Sequence, residues 1–202
     1  MSEQSGLTID APTAERNPWT RVQSIHGFWA DELISTFQKS IRRGLAENAA
    51  LVAYEMYASG AECEDEIWSR LRIISVEDVG FGNPSAPTLI RTLDDFRLRT
   101  TRDTPDRFIF LVHAVRVLAL SQKDRTSDEM ATWVRQAVDR GEARPDVFDV
   151  ALDMHTRRGR EMGRDFRHFF AEGARVENEI PDRDLTYRQR VQAGLDRAGG
   201  GS

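Results

Sequence analysis

Apolar residues along this chain recur at three- and four-residue intervals rather than alternating, which is the period of helices and not of half-buried strands. Over 31–43, Leu33, Ile34, Phe37 and Ile41 share one face, and Gly44 follows as a stop. The stretch 47–59 sets Leu51, Tyr54 and Ala58 on one side before Gly60, and 65–79 carries Ile67, Leu71, Ile74 and Val79 before Gly80 and Gly82. Glycine just past the last periodic position suits a helix end because it accepts positive φ. Asn83-Pro84 and Thr104-Pro105 each place a capping residue before proline, which predicts helices over 84–100 and 105–121. Ser127-Asp128-Glu129 predicts another running to Gly141, its acids complementing the positive end of the dipole. Pro145 opens a helix through Val147, Phe148, Ala151, Leu152 and His155, and shorter ones are expected over 164–172 and 186–197. No Asn-Gly hairpin or strand pair interrupts the pattern. The expected fold is all-α, a single bundle of about seven to nine short antiparallel helices. The expected domain plan is a flexible N-terminal arm over 1–18, a helical domain over 19–176, and an extension over 177–202 ending in a glycine-rich tail.

Composition narrows the class. A chain of 202 residues with 40% hydrophobic and 30% charged positions can bury a core without staples. Its one cysteine, Cys63, makes no intrachain disulfide. The longest apolar run, from Phe108 to Leu120, is broken by His113 and Arg116 and falls short of the roughly 20 residues of a membrane span. The expectation is a soluble, cytoplasmic chain with no membrane partner. A net charge of −5 argues against indiscriminate phosphate binding. All 28 basic residues except Lys39 and Lys123 are arginine, the side chain suited to bidentate anion contacts and interface pairs.

Familiar catalytic and cofactor motifs are missing. Neither lysine sits in a G-x-x-x-x-G-K-[ST] loop, and no G-x-G-x-x-G or G-x-S-x-G occurs, so nucleotide hydrolysis by a phosphate-binding loop is not expected. His26, His113, His155, His168 and Cys63 lie too far apart in sequence for zinc spacing, and His113, in the run Phe110-Leu111-Val112, reads as a core histidine. Cys63 between Glu62 and Glu64 is disfavoured as a nucleophile, because adjacent negative charge raises a thiol pKa. No cofactor and no metal ligand set is expected.

Two charge groupings carry chemistry. Glu62, Glu64, Asp65 and Glu66 cluster at a helix start, where they complement the dipole. The sharper alternative makes them half of a magnesium site in an all-α nucleotide pyrophosphohydrolase, with activity resting on Glu62, Asp65 or Asp78. Glu77-Asp78 suit the other half poorly, since adjacent helical residues point about 100° apart. The second grouping runs from His155 to His168. If helical throughout, Arg157, Arg160, Arg164 and Arg167 with His168 form one stripe, and Arg158 adds to it. That stripe reads either as an anion or DNA site, or as a solvated face paired with Glu161, Asp165 and Glu172. Gly159 and Gly163 either admit another backbone or break the helix.

Four words in order carry a family resemblance. Asp31-Glu32-Leu33-Ile34-Ser35-Thr36-Phe37-Gln38-Lys39-Ser40-Ile41-Arg42 resembles the D-L-I-S-A-L-x-K-S-I-R helix of the replication-associated recombination protein A family, bacterial AAA+ ATPases related to the Werner helicase-interacting protein. Asn48-Ala49-Ala50-Leu51 is similar to its D-A-A-L, and Ala58-Ser59-Gly60-Ala61-Glu62 to its E-A-G-E-D. Arg70-Leu71-Arg72-Ile73-Ile74-Ser75-Val76-Glu77-Asp78-Val79-Gly80 resembles R-L-x-R-I-A-S-E-D-I-G, with Asn83-Pro84 at the following D-P. Asn178-Glu179-Ile180-Pro181-Asp182 is weakly similar to a terminal Y-L-P-D. Val76 stands where the family has serine. The resemblance lies entirely in the region C-terminal to the ATPase, so it implies a clamp-loader-like collar that assembles as a homotetramer, and no ATPase activity. It implies a homo-oligomer, tetramer before dimer, joined to a separately encoded AAA+ ATPase or to replication, recombination and repair factors, with DNA as a further partner. Phe28, Trp29, Leu33 and Phe37 are candidate contact faces, or equally core, which is the commoner fate of apolar helical stripes. Glu77 and Asp78 oppose the dipole at a helix end, so they are expected to bond Arg42, Arg70 or Arg72 in a structural or interface network near Lys39.

Overall fold

A computed structural model describes residues 17–102 and 104–199. Among these, nine α-helices account for the regular structure, and the pairing of Gln23 with Trp29 is an isolated bridge rather than a strand. The described chain divides into two compact units between Arg140 and Gly141, whereas the sequence plan kept 19–176 together.

The first unit holds α1 (Ala30–Arg42), α2 (Ala46–Ala58), α3 (Ala61–Ile74), α4 (Ala86–Leu98), α5 (Pro105–Leu120) and α6 (Thr126–Asp139). Its first residues form a 3-10 turn, Pro18–Arg21, capped by the Asn17 side chain; the rest of the expected N-terminal arm lies outside the described residues. On α1, Ala30, Leu33, Ile34, Phe37 and Ile41 are buried at helical spacing, as the pattern requires. Leu33 and Phe37 are therefore core and do not form a contact surface, while Phe28 and Trp29 are exposed. α2 and α5 pack on α1 and on each other, α3 lies against α2, and α4 against α5. Ile67, Trp68, Leu71 and Ile74 of α3 and Leu111, Val115 and Leu118 of α5 complete the core.

Three expectations change here. α2 buries Ala49, Val52, Ala53 and Met56, so Leu51 and Tyr54 face outward. Both faces satisfy helical spacing, and the alanine-rich one wins because small side chains let α1 and α5 approach closely. His113 is exposed on α5 and not a core residue. The helix expected over 65–79 starts earlier, at Ala61, and beyond Ile74 it widens into a π-helical turn, Ser75–Val79, closed by Gly80 at φ 50°.

The second unit holds α7 (Arg157–Glu161), α8 (Phe166–His168), a π-helical turn Phe169–Gly173 and α9 (Thr186–Gly199). The helix expected from Pro145 does not form; the segment contains only the 3-10 turn Asp149–Ala151. Val147 and Val150 are β-branched, and Asp146, Asp149 and Asp153 compete for backbone bonds, so local helix propensity is low. The Arg164 guanidinium takes up the freed carbonyls of Asp149 and Leu152.

Candidate functional site

The first and last of the four words that carry the resemblance meet at one polar junction. α1 supplies Gln38 and Arg42, one turn apart; the π-helical turn supplies Glu77 and Asp78; Arg125, capping α6, supplies the third side. The Asp78 carboxylate is fully buried. It accepts from Arg42 Nε, from Arg125 Nη1 at 2.6 Å and from Gln38 Nε2 at 3.1 Å. Glu77 accepts from Gln38 at 2.9 Å and Arg42 at 3.1 Å. Arg125 reaches on to Asp128, closing the network inside the first turn of α6. A buried carboxylate is costly unless paired and hydrogen-bonded, and Asp78 meets both conditions. Two acids at a helix end would oppose the dipole, and the two guanidiniums offset that. Burial works against the charge of Arg125, but the bond and charge of Asp78, with Asp128 and Glu77, outweigh it and raise its pKa.

The expectation that Glu77 and Asp78 bond an arginine is met by Arg42. Arg70 instead bonds Glu66 at 2.7 Å and Arg72 bonds Asp94 at 2.7 Å. Lys39 is exposed and donates to Ser35 on its own helix. Backbone locks the same junction: Asp124 N donates to the carbonyls of Asp78 and Val79 at 3.1 and 3.2 Å.

A second network ties the other end of this unit. Glu64 of α3 is fully buried and accepts from Arg107 at 2.8 and 3.0 Å and from Arg102 at 3.2 Å. Arg97, buried on α4, donates to Asp94 and to Asp65, each at 2.6 Å. Burial opposes its charge, yet the bonds and charges of Asp94 and Asp65 prevail and raise its pKa. Asp65 is thus committed to one network and Asp78 to the other, so the carboxylates that a magnesium-dependent hydrolase would use do not converge. Among the described residues no group of three or more His, Cys, Asp or Glu is placed to hold a metal ion. Cys63 is buried; burial first and Glu62 second push its thiol pKa up, with Arg102 pulling the other way.

In the second unit the arginine stripe is broken. α7 ends after Glu161, Gly163 takes φ 73°, and Asp165 caps α8 through bonds from the amides of Arg167 and His168. Both glycine expectations hold, at different positions. Gly163 breaks the helix, while a Cβ on Gly159 would sit 1.8 Å from the Asp153 carbonyl oxygen, so another backbone passes there. Arg164 bonds Asp149, Arg160 reaches the carbonyls of Met154 and His155, and Arg167 lies 3.7 Å from Asp196. Arg157 lies 3.6 Å from Glu161 and projects into solvent, and Arg158 is exposed beside it. The five arginines and His168 are therefore not one anion-binding surface.

Sequence reasoning missed Arg125, Arg97 and Arg107, and it read Glu64 as one of a cluster of charges at a helix start rather than as a buried acceptor. Arg125 carries no local signal, because it meets Asp78 across 47 residues. Glu64 did carry one: it falls three, four and seven positions before Ile67, Trp68 and Leu71, in phase with the buried stripe. Arg97 stands in the same relation to Ile90 and Leu93.

No protein-family model matches this chain, and no curated protein matches it.

Proposed function

We propose that the chain is a non-catalytic helical assembly domain, related to the collar region of AAA+ ATPases of DNA replication and recombination. The observation that carries this reading is the Asp78 junction. The Glu-Asp-Val-Gly word on which the resemblance turns is spent on guanidiniums, and it joins α1, the π-helical turn and α6. The Asp78 carboxylate accepts three bonds and is sealed from solvent, so its role is to fix helix geometry. Exposed Phe28, Trp29, Leu51, Tyr54 and Phe81 add apolar surface to the unit that carries the junction. A separately encoded ATPase, or a cytoplasmic replication or repair factor, is the partner class the resemblance suggests.

Light scattering behind a sizing column, at two protein concentrations and two salts, tests the assembly. A stable mass near four times 23.0 kDa supports it; a monomer under every condition overturns it. Duplex DNA in the same column tests the alternative of DNA binding through Arg157 to Arg167, of which Arg157 and Arg158 are the members most open to solvent at the start of α7. Co-elution that falls steeply with salt and is lost in the double alanine variant would favour that alternative.

A further inference from the structure

α6 is held to the first unit differently from the helices beside it. Each of α1 to α5 buries between four and six residues, whereas α6 buries Ala137 alone. Met130, Trp133, Val134 and Val138 of α6 are exposed, and the helix packs chiefly on the π-helical turn. A cavity of about 480 Å³ is lined by Ile73 of α3 and Val76 of that turn, and equally by Ser127 and Ala131 of α6, so α6 does not fill the surface it faces. The polar bonds that tie the helix down gather at its first turn. Arg125 donates to Asp78 at 2.6 Å, the Asp124 amide donates to the carbonyls of Asp78 and Val79, and the Asp124 carboxylate accepts from the Thr126 amide at 2.9 Å. Local opening costs least where few apolar side chains are buried, and α6 meets that condition.

We propose that α6 is a flap hinged at Asp124, which opens in a step separate from global unfolding and is held shut by the Arg125 latch on Asp78. The proposal goes beyond the assembly reading and does not depend on it. With one buried side chain, the far end of the helix has little apolar burial to resist opening, so the ionic latch at the near end sets the balance between shut and open. The Arg125 side chain is 31% exposed while Asp78 is fully enclosed, so the arginine is the member that can leave into water. Asp78 keeps Arg42 and Gln38 when it does, which spares the open state an unpaired buried charge. Opening uncovers Ile73 and Val76 and takes one cation from the junction, so the flap controls access to the floor of the cavity. A helix of 14 residues is marginal in water by itself, so the open flap loses its helical hydrogen bonds.

Hydrogen exchange of the full chain, read by mass spectrometry on wild type, Arg125→Gln and Arg42→Gln, tests this. In wild type the amides of 130–139 are expected to exchange about tenfold or more faster than those of α5, which buries Leu111, Val115 and Leu118. Arg125→Gln should widen that gap about a further tenfold, the effect of losing a hydrogen bond between charged groups. Arg42→Gln loosens the same junction from α1 and leaves the latch in place, so it should not widen the gap. Equal protection of α5 and α6 in wild type overturns the flap, because the two helices then open together. A gap that Arg125→Gln leaves unchanged, or that Arg42→Gln widens as much, overturns the latch. If circular dichroism shows that Arg125→Gln does not fold, Asp128→Asn takes its place. That change removes the α6 carboxylate that holds Arg125, and it should widen the gap severalfold; an unchanged gap overturns the latch equally.

Discussion

At the scale of single residues, burial decides which charges matter. Asp78 and Arg157 both make ion pairs, but the Asp78 carboxylate is fully enclosed, whereas the Arg157 side chain is 82% exposed. Asp78→Asn leaves Arg42 and Arg125 facing a neutral amide. Each guanidinium is about a third exposed and recovers some hydration, so the cost falls at the lower end of the buried-pair range, about 3 kcal/mol. Arg157→Ala should stay within about 0.5 kcal/mol. Urea denaturation of the two variants beside wild type measures both. Acid sensitivity follows from a different aspartate. The bonds from Thr126 hold the Asp124 carboxyl below the usual aspartate range, with burial opposing weakly. Its folded pKa is then lower than its unfolded one, so its stabilising contribution is present above about pH 4 and is lost as pH falls through the folded value. Asp124→Ala should flatten the acid limb of a stability-against-pH curve and leave the neutral region with the same slope.

At the scale of elements, helical period placed most helices of the first unit and their stops. The choice of face was legible only where one face was much more apolar than the other. α1 meets that condition through Leu33, Ile34, Phe37 and Ile41. α2 does not, and its alanines were decisive only once α1 and α5 were in place. The same limit governs the candidate site. Glu77 and Asp78 announced a need for cations, yet choosing Arg42 and Arg125 over Arg70 and Arg72 depends on contacts made across 36 and 47 residues. The segment 145–155 failed for the opposite reason: its apolar spacing was helical, but β-branched valines and short acids outweighed the spacing. The junction also depends on a close approach between elements. Gly82→Ala places a methyl 2.4 Å from the Gln122 carbonyl oxygen. Backbone cannot yield there without disturbing Asp124, whose amide holds the π-helical turn. That substitution should cost about 1–3 kcal/mol, the range for overpacking, and should speed hydrogen exchange at Asp124 and Arg125 before the rest of the unit.

At the scale of the whole molecule, the buried hydrophobic cluster begins at Ala30 and ends at Leu118, inside the first of the two units. Both charged networks lie within the same unit, the last member being Asp128. A cooperative transition requires a core whose contacts are lost together, and that condition is met by 17–140 alone. The second unit has α-helices of five, three and fourteen residues, and it leaves Phe148, Phe166, Ile180 and Tyr187 exposed. Helices of five and three residues do not hold without tertiary support. A fragment ending at Arg140 should therefore keep the helical circular dichroism of α1–α6 and melt in one transition within a few degrees of the main transition of the full chain. The complementary fragment from Gly141 should show little cooperative melting by itself. If the 17–140 fragment melted gradually instead, the core cluster would be insufficient to define the folding unit, and the division at Arg140 would be one of contacts alone. Should it melt as expected, it becomes the minimal chain in which the Asp78 junction can be dissected, since each of its ion-pair partners is retained.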